Sequence, residues 1–250
     1  MSPKTSVSAI IITKNEAPRI AACLEGVSWA DEKIVIDSGS ADETVELARK
    51  YGAKVTTCLS RDFSELRNTG AHNAKGAWLL YVDADESVTT DLRNEIQRVA
   101  KTGDFDAYFI PRKNYYLGHV WPSRDGMVRL IRRSALVNWT GILHEHAVIR
   151  GSTGKLQNYF IHDTHRTLEE MVDKTNEWSG SEALLRFKSL HPPISWWRML
   201  RVMMSAFWDS YVKQGGWRAG TPGLIESMYQ AFSMFVTYAK LWELQQNNHE

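Results

Sequence analysis

Ala77-Trp-Leu-Leu-Tyr-Val82-Asp83-Ala-Asp85-Glu86 is the stretch that decides the fold. Six apolar residues run without alternation and then stop at acids, the pattern of a parallel strand buried on both faces. Working outward, residues 7–13 form a second such run, rich in Ile, and residues 33–36 a third; residues 54–58 make a weaker fourth. Between and after them the apolar spacing changes to that of helices: Ile20, Cys23, Leu24 and Val27, then residues 44–51, 63–75 and 92–101. Alternation of this kind predicts an α/β fold, with an open, mostly parallel sheet joined by right-handed crossovers and flanked by helices.

Beyond residue 104 the pattern changes. Residues 107–111, 128–131 and 147–149 read as strands separated by long polar or aromatic connections. Residues 168–190, 196–213 and 224–246 read as helices, punctuated by His191-Pro-Pro, Gly215-Gly and Gly220-Thr-Pro-Gly. The expected division is a sheet domain over residues 1–165 and a helical C-terminal extension over residues 166–250.

Thirty Lys and Arg against 29 Asp and Glu give a net charge of +1, which supplies no overall field for nucleic acid. The balance conceals a local excess. Residues 186–218 hold Arg186, Lys188, Arg198, Arg201, Lys213 and Arg218 against one acid, Asp209, a net +5. Six of the ten tryptophans lie beyond residue 177. Trp197, Leu200, Met204, Phe207, Trp208 and Tyr211 fall on one helical stripe, which suits a packing face or, with its cations, a helix lying on anionic lipid. The run 227–239 is too short to span a bilayer, and the N-terminus reads as a first strand. Two cysteines without metal-ligand spacing read as reduced thiols. The expected location is cytoplasmic, with peripheral docking on the inner face of the membrane.

Asp83 and Asp85 stand two apart, so both carboxylates point to one side beyond the strand's carboxyl end, where open α/β sheets bind ligands. One or two carboxylates plus substrate phosphates are a usual setting for Mg²⁺ or Mn²⁺; a solvated acidic loop is the other reading. Asp37, before Ser38-Gly39-Ser40, suits hydrogen bonds to a ribose or base, or simply a turn. Asn15-Glu16 and Arg67-Asn68 are ambiguous singly, but four polar clusters converging on one sheet edge exceed what turns require. In His144-Glu145-His146 the spacing does not match a helical zinc motif, and a general base is the better use. His162-Asp-Thr-His165 offers a metal or phosphate ligand, or a loop histidine.

Taken together, Ile11-Ile-Thr13-Lys-Asn15-Glu16, Val35-Ile-Asp37-Ser-Gly-Ser, Arg67-Asn-Thr-Gly-Ala and Val82-Asp-Ala-Asp-Glu resemble family 2 glycosyltransferases of the GT-A fold. The chain is similar to the branch of lipopolysaccharide core-biosynthesis β-1,4-glucosyltransferases. Pro111-Arg-Lys-Asn-Tyr-Tyr-Leu-Gly, Val128-Arg-Leu-Ile-Arg-Arg, Leu143-His-Glu and Tyr238-Ala-Lys-Leu extend the match. The resemblance implies a metal-dependent, inverting transfer of a sugar from a nucleotide-sugar donor, a UDP-sugar, to a lipid-linked or oligosaccharide acceptor. It implies that Thr13, Asn15, Glu16, Asp37, Arg67 and Asp83 bind the nucleotide. Asp85, Asp83 and His165 would hold Mg²⁺ or Mn²⁺, and Glu145 or His144 would deprotonate the acceptor.

Three rivals read the same residues differently. An aspartate-nucleophile phosphatase also places D-x-D after an apolar strand but needs a later paired-acid motif, and the acids after Glu86 are scattered. A nucleotidyltransferase wants a glycine-rich loop after the first strand, where Thr13-Lys-Asn-Glu-Ala-Pro has no glycine. A non-catalytic membrane-associated module leaves the polar sheet edge idle.

Overall fold

The computed structural model describes residues 5–141, 145–165 and 167–247. Its elements run β1 (Val7–Thr13), α1 (Ala17–Gly26), β2 (Glu32–Asp37), α2 (Thr44–Lys50), β3 (Lys54–Thr57), α3 (Phe63–Asn73), β4 (Trp78–Asp83), β5 (Glu86–Val88) and α4 (Thr90–Thr102). They continue with β6 (Ala107–Tyr116), β7 (His119–Val120), β8 (Asp125–Arg132), β9 (Leu136–Thr140), β10 (His146–Ile149), β11 (Thr153–Lys155), β12 (Phe160–His165), α5 (Leu168–Lys188), α6 (Trp196–Trp208) and α7 (Gly220–Asn247). Two compact units result: Met1–Lys113 with Asp125–His162, and Asn114–Arg124 with Asp163–Glu250.

In the first unit the main sheet follows the order β3-β2-β1-β4-β8-β6-β12-β5. Strands β1 to β4 are parallel, and β8 adds antiparallel to β4. All seven residues of β1 are buried, as its unbroken apolar run requires. The period of two sorts the side chains. Ala9, Ile11, Val35, Leu80 and Val82 meet Ile20 and Leu24 of α1 and Leu92, Ile96 and Val99 of α4. Ile10, Ile12, Ile34, Ile36, Leu79 and Tyr81 face Leu66 of α3 and Trp139 of β9. Helix α4 is capped by the Thr89 hydroxyl, which accepts from Leu92 N at 3.1 Å, and ends at Gly103 in the left-handed region. Glu32 stitches the far end of the sheet: its carboxylate accepts from Ser8 Oγ, Lys54 Nζ and Lys75 N at 2.7–2.9 Å. Cys23 is buried beneath β4, its sulfur 3.5 Å from the Asp83 carbonyl.

Several expected boundaries differ. Residues 107–111 belong to a ten-residue strand, β6, that continues through Pro111 to Tyr116. Pro111 lies opposite Gly126, where a Cβ would sit 2.4 Å from the Ile110 carbonyl, so the bare glycine lets the ladder close around the proline. The helix expected over 196–213 stops at Trp208, and Asp209–Lys213 form a wider π turn.

In the second unit α7 packs against both α5 and α6. It begins at Gly220, earlier than its apolar pattern suggests, because Pro222 fits a first helical turn. At Gly223 a Cβ would lie 1.8 Å from the Gly216 carbonyl, so this contact excludes any side chain. Trp121 is buried, stacked edge-on to Tyr116 at 4.9 Å and donating from Nε1 to Gln214 Oε1. Helix α6, by contrast, has no buried residue: Trp196 is 77% exposed, and Trp197, Leu200, Met204 and Trp208 are also exposed. Arg198 and Arg201 lie 5.3 and 5.5 Å from the Trp197 ring, and Arg218 lies 5.0 Å from the Trp217 ring. Among the described residues no helix is long and apolar enough to cross a membrane.

Candidate active site

Three parallel strands deliver the polar residues. Thr13 ends β1, Asp37 ends β2 and Asp83 ends β4; the register pairs Thr13 with Asp37 and Ile12 with Asp83. The predicted convergence is therefore a matter of neighbouring strand ends, the place where open α/β sheets take their ligands.

On the β1–β2 side the turns lock each other. Asn15 has φ +54°, a conformation asparagine tolerates better than most residues. Its side-chain carbonyl accepts from Ala41 N at 2.8 Å, and its N–H donates to Ser40 Oγ. Glu16 N donates to Thr44 Oγ1, and the Glu16 carboxylate pairs with Arg19 at 2.7 Å. Asp37 is buried and accepts from Gly39 N and Ser40 N, so the turn role and the site position coincide in one residue. Thr13 Oγ1 is buried without a hydrogen-bond partner, an unused polar atom at the strand end.

The β4 side is ionic. Asp83 receives Arg67 Nη2 at 3.0 Å and Arg129 Nη1 at 3.1 Å, with a second, shorter contact from Arg129 Nη2. Burial alone would raise the Asp83 pKa, but the Arg129 and Arg67 charges hold it far below the usual carboxylate range. Glu86, fully buried, accepts from Asp83 N at 2.9 Å and lies 3.4 Å from Arg112 and 3.6 Å from Arg129. Burial pushes its pKa up despite those cations. Arg112 also forms a two-pronged pair with Asp125.

Arg67 is 2% exposed and reaches a second acid: its Nε and Nη2 lie 2.9 and 2.8 Å from Glu145 Oε1. Its guanidinium lies 5.0 Å from the Trp139 ring, and its Nη1 is a buried donor without a hydrogen-bond partner among the described residues. The structure thus brings Arg67, Asp83 and Glu145 together. Asp85 instead meets His162, whose Nε2 lies 3.4 Å from Oδ2. Burial opposes protonation of His162, yet the hydrogen bond and charge of Asp85 hold its pKa above the ordinary value. His144 lies outside the described residues, and so does the side chain of His165.

Sequence reasoning missed Arg129, Arg112 and Glu86 as parts of the site. Arg129 sits alone between apolar neighbours in Val128-Arg-Leu-Ile, and that isolated charge within a buried strand was the available signal. His162 was noticed within its motif, but only the antiparallel β12–β5 pairing, which sets His162 opposite Glu86, brings it to Asp85.

The donor set bears on a divalent ion. Among the described residues no group of three or more His, Cys, Asp or Glu side chains is placed to hold a metal. Both Asp83 oxygens face arginines, which leaves Asp85, with His162 beside it, as the acidic position. This fits an ion of the Mg²⁺ or Mn²⁺ type, which takes few protein ligands and fills its shell with water and substrate phosphate.

Comparisons with known proteins place the chain in a family. An uncharacterised glycosyltransferase of Rickettsia bellii (strain RML369-C) is 29% identical over 255 residues, covering 95% of this chain and 86% of that protein. The lipopolysaccharide core biosynthesis glycosyltransferase LpsC of Rhizobium meliloti (strain 1021) is 26% identical, covering 97% and 94%. Among solved structures, S. aureus TarS 1–349 in complex with UDP-GlcNAc shares the fold, with a TM-score of 0.50 at 14% identity over 97% of this chain and 92% of that one. The glycosyl transferase family 2 model matches residues 8–156, more than half the chain, and its span takes in the strand ends, the D-x-D and Glu145: the chain belongs to glycosyl transferase family 2 and is a glycosyltransferase.

Proposed function

We propose that this enzyme moves a sugar, glucose, from a UDP-sugar to a glycolipid acceptor such as the lipopolysaccharide inner core, with inversion at the anomeric carbon. The observation that carries the reading is the meeting of Asp83, Arg67 and Glu145 beside the β1 and β2 ends within a family 2 chain. Asp37 and the Asn15–Glu16 turn hold the uridine, with Thr13 Oγ1 and Arg67 Nη1 as buried groups available to the nucleotide. Support for a UDP donor comes from the S. aureus protein of like fold, which was solved with UDP-GlcNAc. Support for the acceptor comes from the name of the Rhizobium relative.

Asp85 would hold Mg²⁺ or Mn²⁺; Asp83, whose oxygens both face arginines, and His165, whose side chain lies outside the described residues, are the further candidates. When bound, the ion neutralises charge on the departing diphosphate. Glu145 accepts the proton of the attacking hydroxyl, with His144 as the other candidate base. Arg67, between Glu145 and Asp83, keeps both carboxylates oriented before the donor arrives.

The docking partner is an anionic membrane, on its cytoplasmic face. Exposed Trp197 on α6, with Arg198 and Arg201 at 5.3 and 5.5 Å from its ring, and exposed Trp217 beyond that helix, with Arg218 at 5.0 Å, suit the headgroup layer. That position brings the enzyme to a lipid-linked acceptor.

The test is to incubate the purified protein with UDP-glucose and Mn²⁺, with and without lipopolysaccharide inner core, and to follow UDP release and sugar incorporation. Acceptor-dependent release is expected. Release of inorganic phosphate without sugar transfer would favour the phosphatase reading instead.

A further inference from the structure

Hairpin β9–β10 forms its own two-stranded sheet, and no ladder joins it to the main sheet. Thr140 pairs with His146 and Trp139 with Ala147, so Glu145 immediately precedes the paired residues of β10. A carboxylate displayed on a separate hairpin needs that hairpin fixed, because a two-stranded ribbon alone is marginal in water.

Helix α3 fixes it through two consecutive residues. Arg67 holds the Glu145 side chain at 2.8–2.9 Å. Asn68 holds the backbone: its Nδ2 donates to the Trp139 carbonyl at 2.9 Å, and Trp139 N donates to its Oδ1 at 2.8 Å. The amide side chain thus reads a residue of β9 as a neighbouring strand would, satisfying one donor and one acceptor of an edge that faces no other strand. The Trp139 ring completes the anchor, packing edge-on to Tyr81 of β4 at 4.8 Å.

We propose that Asn68 is a positioning residue for Glu145, setting the register of the β9–β10 hairpin against α3 so that the carboxylate meets Arg67 and the acceptor. Asn68 touches no reacting atom in this scheme; it acts through the hairpin. The inference rests on the reading of Glu145 as the base. Only an amide of this length supplies both halves of the pair: Asp lacks the donor, and Ala lacks both.

A double-mutant cycle tests it, with Asn68→Ala, Glu145→Gln and the combination assayed for UDP release from UDP-glucose with Mn²⁺ and lipopolysaccharide inner core. A misplaced base costs about 10²-fold, so Asn68→Ala should lower kcat by that order with little change in UDP-glucose affinity. Asn68→Asp should fall at least as far as Ala, because a carboxylate oxygen would then face the Trp139 carbonyl at 2.9 Å. Asn68→Gln, which keeps both halves of the amide, should retain more activity than either and keeps the test alive if they fold poorly. Adding Asn68→Ala to Glu145→Gln should cost nothing further, because the group it positions is already disabled. Hydrogen exchange should quicken at the Trp139 and Ala147 amides while β1 and β4 stay protected. Equal losses in both backgrounds, or a loss confined to donor affinity, overturns the role of Asn68 and leaves the base reading standing. An active Glu145→Gln single variant removes the base reading and this inference with it.

Discussion

Arg129 meets Asp83 two nitrogens to two oxygens, and the same guanidinium lies 3.6 Å from Glu86. One arginine, 1% exposed, therefore compensates two acids that flank the end of β4. Removing one partner of a buried ionic cluster leaves uncompensated charge and costs about 3–5 kcal/mol. Arg129→Met should destabilise the fold by that amount in urea unfolding. Arg129→Lys should recover only part of it, since an ammonium cannot make the two-pronged pair.

Asp85→Ala should behave oppositely. Asp85 pairs with His162, and with side chains only 15% and 13% exposed the pair is partly buried, so its loss should cost about 1–2 kcal/mol, less than the Arg129 cluster. The fold should survive while Mn²⁺-dependent tightening of UDP-glucose binding disappears, as followed by thermal shift and calorimetry. Undiminished Mn²⁺ dependence would take Asp85 out of the metal site.

Glu145→Gln keeps the shape and the hydrogen bond from Arg67 but cannot accept a proton. Transfer should fall by about 10²–10⁴-fold in kcat while UDP-glucose still binds. Rapid-quench kinetics at saturating donor separates these two quantities.

Liposome sedimentation probes the second unit. Binding to anionic vesicles should weaken with salt and nearly vanish when Arg198, Arg201, Lys213 and Arg218 become Ser, each cation contributing about 1 kcal/mol at the leaflet. Lys213 should matter least of the four, because Asp209 already pairs with it at 2.9 Å. Equal recovery with neutral vesicles counts against membrane docking.

Glu32 gives a stability that depends on pH. Burial works to raise its pKa, but hydrogen bonds from Lys54, the Lys75 N–H and Ser8 hold it below the ordinary 4.5. A depressed folded pKa means stabilisation present above the unfolded value and lost as pH falls through the folded one. The stability gap between the parent and Glu32→Gln should be constant near neutrality and shrink below about pH 4. Urea unfolding across that range measures it.

Much of the parallel half was legible in the sequence. β1, β2 and β4 are buried on both faces, so their apolar runs carry no competing helical period. α4 was legible in the apolar spacing over residues 92–101, while its ends, the Thr89 cap and Gly103, come from the structure. β9 and β12 were not, because among the described residues each holds a single buried anchor, Trp139 or Phe160, and owes its place to partners distant in sequence. The strand-end acids were visible for a local reason, namely that Asp83 and Asp85 follow one strand directly. Glu86 was hidden because nothing near it in sequence marks it as half of a buried pair, whereas Arg129 carried one faint signal, a lone charge between the apolar residues of a strand. The bare surface of α6 was equally hidden, since an amphipathic stripe looks the same whether a protein or a lipid covers it.

Cys23 lies directly under the backbone of Asp83 and is buried, with its thiol pKa raised by that burial and by the acids around it. A thiol so placed reacts with a probe such as a disulfide reagent only when the segment above it opens. The enzyme therefore carries a native stopwatch for its D-x-D segment. Labelling rates at Cys23, compared with and without nucleotide, would read how often that strand end breathes. Cys58, the half-buried second thiol, supplies an internal reference in the same chain.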